Sequence, residues 1–135
     1  MKKLLPLIAL SLVFLAVARA EDKPTAPATA KAPAPKTFLI VLRLPERLHD
    51  DTAWSDADKA AAGAHFERLK AATAAGQVIL AGRTRESANK TMGLVIFAAT
   101  DEAAAREFML GDPCVAAGVM IGTLHPYDLA LLRKN

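Results

Sequence analysis

Two runs of residues, Thr37–Leu44 and Thr91–Ala99, carry apolar side chains at odd and even positions alike. Successive side chains of an extended strand point to opposite faces, so strands of this kind need cover on both sides. In the first run Phe38, Ile40, Leu42 and Leu44 share one face, Leu39 and Val41 take the other, and Pro45 ends the strand. The segment Pro45–Trp54 reads as a polar loop. Ser55, with Asp58 three residues on, forms a capping box that opens a helix through about Ala75, closed by Gly76. Within this helix Phe66, Leu69, Ala72 and Thr73 follow helical spacing, and His65 stands one turn before Leu69. Gln77–Gly82 is the expected second strand and Thr91–Ala99 the third. Thr100 is the expected N-cap of a second helix that runs to about Leu110 and stops at Gly111, and Val119–Leu124 is the expected fourth strand.

The order β-α-β-β-α-β predicts an α+β, ferredoxin-like fold, a four-stranded antiparallel sheet with two helices on one face. Two helices cover only that face. The apolar side chains of the first and third strands on the other face then require a partner, since a patch of that size is uncommon on a monomer. A homodimer packed sheet to sheet is expected.

The first twenty residues join Lys2 and Lys3, an apolar run from Leu4 to Val17, and Ala18-Arg19-Ala20, the pattern of a signal peptide cleaved after Ala20. The run falls short of the roughly 20 residues that span a bilayer, so no stable membrane insertion is expected after cleavage. Residues 21–36 hold Pro24, Pro27, Pro33 and Pro35 among Ala, Thr and Lys, a semi-extended linker too poor in apolar bulk to pack. Residues 37–135 then form one domain in the periplasm or outside the cell. Lys2, Lys3 and Arg19 account for the net charge of +3, leaving 14 basic and 14 acidic residues from Glu21 onward. A balanced chain has no electrostatic footprint for nucleic acid. Cys114 is the single cysteine, so no disulfide can form within the chain.

The chemistry-bearing stretch is Gly111-Asp112-Pro113-Cys114-Val115-Ala116-Ala117-Gly118. Pro113 fixes its own φ and restricts Asp112, so the corner is stiff and holds a carboxylate and a thiol in place. Together with His65-Phe66-Glu67-Arg68-Leu69, Gly76-Gln77-Val78-Ile79-Leu80-Ala81-Gly82 and Asp101-Glu102-Ala103-Ala104, this stretch resembles the YCII-related (YciI-like) proteins, in order and spacing, over about Phe38 to Tyr127. The resemblance implies a ferredoxin-like dimeric α/β barrel and a site built on His65 and Asp112. It also implies a small-molecule enzyme of the lyase or dehydrochlorinase type, acting on chlorinated hydroxyaromatics in some relatives.

A His65–Asp112 dyad suits acid/base work: the carboxylate sets the imidazole tautomer and leaves the other nitrogen to move a proton. The competing reading gives Asp112 a purely structural task, capping its own turn. Cys114 stands where the family often has an aromatic residue. It is either a nucleophilic or peroxide-sensing thiol in the ligand pocket or a small buried hydrophobe. His125 and Tyr127 alternate on the last strand and are candidates for the same pocket, with Pro126 between them marking a strand end. Arg83 is a candidate contact for an anionic substrate. His49-Asp50-Asp51 are adjacent residues that do not converge on one ion, and no set has zinc-ligand spacing. No metal, and with neither a P-loop nor a Gly-x-Gly-x-x-Gly no nucleotide cofactor, is expected. The expected partner is a small molecule; the alternative to an enzyme is a non-catalytic binding or interaction domain on the same scaffold.

Overall fold

The computed structural model describes residues 34–133. The expected signal peptide and nearly all of the linker lie outside the described residues. Four strands, β1 (Lys36–Arg43), β2 (Val78–Arg83), β3 (Gly93–Ala99) and β4 (Ile121–Pro126), pair antiparallel in the order β2-β3-β1-β4. The helices are α1 (Asp56–Ala74), α2 (Glu102–Leu110) and a single turn, α3 (Pro113–Ala116). This is the ferredoxin-like α+β fold that the order of elements predicts. Among the described residues no helix is long and apolar enough to cross a membrane.

The two doubly apolar strands, β1 and β3, are the two inner strands of the sheet. Phe38, Ile40 and Leu42 of β1 and Val95, Phe97 and Ala99 of β3 form the core with Leu69 of α1 and Ala105 and Met109 of α2. Both long helices therefore lie on one face. The alternate residues Leu39, Val41, Leu94 and Ile96 lie on the other face and remain half-buried in the single chain.

The capping box forms as expected: Ser55 Oγ accepts from the Asp58 amide, and the Asp58 carboxylate accepts from the Ser55 amide at 3.0 Å. Gly76, at φ +77°, ends the helix in the left-handed region that favours glycine. Three local expectations are corrected. Asp101, not Thr100, caps α2, because its carboxylate reaches the Ala104 amide at 2.8 Å and a negative charge suits the positive helix end. The last strand starts at Ile121 instead of Val119: the amides of Val119 and Met120 turn back to the Cys114 carbonyl at 2.8 and 3.0 Å, which leaves Ile121 as the first residue paired with β1. Phe66, expected on the packed face of α1, is 64% exposed.

The loop after β1 is more than a polar connection. It coils into two 3-10 turns, Glu46–Leu48 and Asp51–Ala53, and drives Leu48 into a second small core with Cys114 and Val119. Asp50 caps the second turn through Thr52, which accounts for a member of the His49-Asp50-Asp51 cluster without any ion. Arg47 anchors the loop, donating to both oxygens of Asp58 at 2.8 and 3.2 Å and to the Gly118 carbonyl at 3.3 Å. Leu48 is wholly shielded from solvent. Leu48→Ala is expected to cost about 3 kcal/mol, the range for an emptied core site, measured by urea denaturation; a loss below about 1 kcal/mol would show that the loop is a surface feature.

Candidate functional site

His65 projects from the middle of α1 towards the connection that follows α2. There Asp112 is the N-cap of α3, with Pro113 in the first turn, where its missing N–H costs nothing. Gly111 is needed at this corner for space: its φ is −77°, but a Cβ would come within 3.1 Å of the Glu107 carbonyl oxygen. Gly118 closes the far side of the turn at φ +67°, a left-handed conformation.

The two oxygens of Asp112 have separate partners. Oδ1 accepts from the Cys114 amide at 2.9 Å, and Oδ2 lies 2.8 Å from His65 Nδ1. The structural and the dyad readings of Asp112 are thus both realised, one on each oxygen. A carboxylate can only accept, so Nδ1 carries the hydrogen, and whenever the ring is neutral its lone pair is on Nε2. The pair is largely shielded, with side chains 14% and 6% exposed.

Arg68, one helical turn beyond His65, completes the group. Its Nη1 lies 3.5 Å from Asp112 Oδ2, its Nη2 donates to the Phe108 carbonyl at 2.8 Å, and its guanidinium sits 4.2 Å from the centre of the Phe108 ring. Sequence reasoning missed this residue. The signal was present in the i, i+3 spacing from His65, which puts both side chains on one helix face. Burial works against the charge on Asp112, but the hydrogen bond of His65 and its charge when the ring is protonated, the Cys114 amide and the charge of Arg68 outweigh it and hold the carboxyl below its usual range.

Cys114 is fully buried beside this group, in the small core with Leu48 and Val119. Burial, and then the negative charge of Asp112, push its thiol up to about 11, so it is protonated at neutral pH. It packs as a small hydrophobe and is not among the residues that line the cleft beside His65. His65, Asp112 and Cys114 nevertheless bring one ligand atom each within 4.8 Å of one another, a grouping that sequence spacing could not reveal. As arranged, hydrogen bonds engage Nδ1 and both carboxylate oxygens, and the thiol keeps its proton.

His65 also lines a cleft of about 930 Å³ between α1 and the β2 edge of the sheet, together with Trp54, Phe66, Leu69, Met120 and Arg83. Arg83 is thus brought together with His65. His125 and Tyr127 are not. His125 pairs with Leu39 on the sheet face away from the helices, and Tyr127 lines a separate cavity of about 480 Å³ with Lys36 and Glu102. Tyr127 follows the end of β4, and β4 is the opposite edge strand from β2, so both residues lie remote from His65.

The lowered Asp112 carboxyl gives a stability that is present above the ordinary carboxyl range, about pH 4, and lost as pH falls through the lower folded value. Asp58, lowered first by the Arg47 hydrogen bond and then by Ser55, acts in the same direction. Urea midpoints of the native chain are expected to fall steadily below about pH 4, with a shallower fall in Asp112→Asn. Equal slopes for the two proteins would contradict the assignment.

A family model for the YCII-related domain matches residues 40–123, a span that contains His65, Arg68, Arg83 and Asp112. A search of curated proteins finds no match.

Proposed function

The chain belongs to the YCII-related domain family, and on that footing we propose that it is a small-molecule enzyme in which His65 and Asp112 act as an acid/base dyad. The observation that carries this reading is the 2.8 Å contact between Nδ1 and Oδ2 on a histidine that lines the cleft. With Nδ1–H given to Asp112, Nε2 is the basic nitrogen available to a bound molecule. It takes a proton from a ring hydroxyl, the imidazolium is stabilised by the buried carboxylate, and Arg68 keeps that carboxylate ionised. In a dehydrochlorination of a chlorinated hydroxyaromatic bound as its keto tautomer, the O–H electron pair becomes a C=O bond, the ring C=C pair shifts to the saturated carbon that bears chlorine, and the C–Cl pair leaves as chloride. Atoms and electrons then balance without an oxidant or a second substrate.

A second reading draws on the other oxygen of Asp112. Capping α3 through the Cys114 amide is reason enough for an aspartate there, and a cleft of this kind can hold a ligand without turnover. A panel of small chlorinated hydroxyaromatics, with and without a ring carboxylate, followed by chloride release, separates the two. Under the first reading His65→Ala lowers turnover by roughly 10²- to 10⁴-fold while the far-ultraviolet circular dichroism stays native and the urea midpoint falls by no more than the lost Nδ1–Oδ2 contact, about 1–3 kcal/mol. His65→Ala turning over at the native rate would sink the dyad, and silence of the native protein across the panel would favour the binding domain.

The proposal extends to assembly and place. Leu39, Val41, Leu94 and Ile96 on the uncovered sheet face support a homodimer, and the pattern of residues 1–20 supports export to the periplasm or beyond. Sedimentation at micromolar concentration is expected to give a dimer, and the mature protein to begin at Glu21. A stable monomer would show that the uncovered face does not pack on a second copy.

A further inference from the structure

The shape of the cleft comes from what is missing on its floor. Gly93 pairs with both Leu42 and Arg83, so these three residues form one row on the helix-side face of the sheet. The middle of that row carries no side chain of its own, and the Leu42 side chain leans across it, its Cβ 3.2 Å from where a Gly93 Cβ would stand. In the next row Ala81 of the edge strand pairs with Val95, leaving a small residue at the outer end. The floor beside β2 is therefore low, built of Leu42, Gly93 and Ala81, and Phe66, Leu69, Trp54 and Met120 add apolar lining to the cleft. Phe66 presents its ring to water here although the helix has a buried face available. A ligand body laid along the floor would recover that exposed apolar area.

The charge of the cleft has one sign. Arg43, Lys70 and Arg83 line it, and none of the described lining residues is aspartate or glutamate. The chain from Glu21 onward has equal numbers of acidic and basic residues, so this excess is local. Lys70 is paired with Glu67 at 3.4 Å. Arg43 follows Val41 on the alternation of β1 and starts on the opposite face. Arg83 starts on the floor itself, and no ion pair engages it among the described residues.

We infer that the cleft takes a small organic carboxylate with an apolar, ring-sized body, its anionic end held by Arg83 and its body lying over Leu42 and Ala81 against Phe66 and Leu69. This deepens the proposed function by naming a ligand class, and rests on that reading's assignment of the cleft as the ligand site. A guanidinium presents a planar fork that matches a carboxylate in two parallel hydrogen bonds, whereas a neutral amide of the same shape offers no charge to it. His65 then faces the ligand from α1 across the cleft.

Nuclear magnetic resonance titration of the protein with benzoate and with benzamide tests the inference. Benzoate is expected to shift the amides of Leu69, Arg83 and Gly93 saturably, with benzamide binding about tenfold more weakly, the equivalent of losing one charge-assisted contact of about 1.4 kcal/mol. Arg83→Gln is expected to weaken benzoate about tenfold and leave benzamide unchanged, and Arg83→Lys to recover part of the loss. Equal binding of the two probes, unchanged benzoate affinity in Arg83→Gln, or no saturable shift at millimolar benzoate would each overturn it. The dyad fails on a different result: native chloride release in His65→Ala sinks the acid/base reading even where benzoate binding obeys every expectation above.

Discussion

The carboxylate of Asp112 is the group on which the site depends. One oxygen fixes the backbone of α3 and the other fixes the tautomer of His65, so the same ion orders its own loop and the base. Such a group tolerates no drift. A carboxylate shared between two tasks performs both only if its backbone is immobile, and the surroundings supply that rigidity: Pro113 stiffens one side, Gly118 lets the chain reverse on the other, and Cys114 and Val119 are sunk into a core with Leu48. Arg68 contributes from α1, held in place by the Phe108 carbonyl and ring while it faces the carboxylate. Little of this would survive if the Asp-Pro turn were a free surface loop.

Much of the scaffold was legible in the sequence because it follows from local rules. Doubly apolar strands had to be the inner strands of the sheet, Ser55 and Asp58 had to cap, and Gly76 had to end the helix. His65 and Asp112 were paired through a resemblance to a family; no spacing rule links residues 47 apart in the chain. What escaped was tertiary. Leu48 sits among polar neighbours in a segment that reads as loop, yet Trp54, Cys114 and Val119 surround it. His125 and Tyr127 were assigned to the pocket from strand alternation alone, and only the strand order shows that β4 lies at the edge remote from the cleft. Arg68 was visible as a neighbour of His65 on the helix, but its worth lies in Phe108 and Asp112, which the sequence does not bring near.

The loop after β1 adds a contrast in electrostatics. The guanidinium of Arg47 is half exposed where it meets Asp58, while His65 and Asp112 meet largely out of solvent. Dissolved ions screen exposed charges over about 10 Å at 0.1 M and reach buried pairs far less. The strap that covers the small core is thus tuned by the medium, and the pair beneath it is insulated.

The site is also a seam. His65 belongs to the first β-α-β half of the chain and Asp112 to the second, and each half supplies one member of a pair that has no meaning alone. The contact closes a stretch of 47 residues that contains β2 and β3, so it is a non-local pairing. The contact therefore acts as a certificate of assembly. A chain that has folded only one half, or has lost its last strand and the turn before it, possesses a histidine but no carboxylate to orient it, so the pair exists only in molecules whose two halves have met.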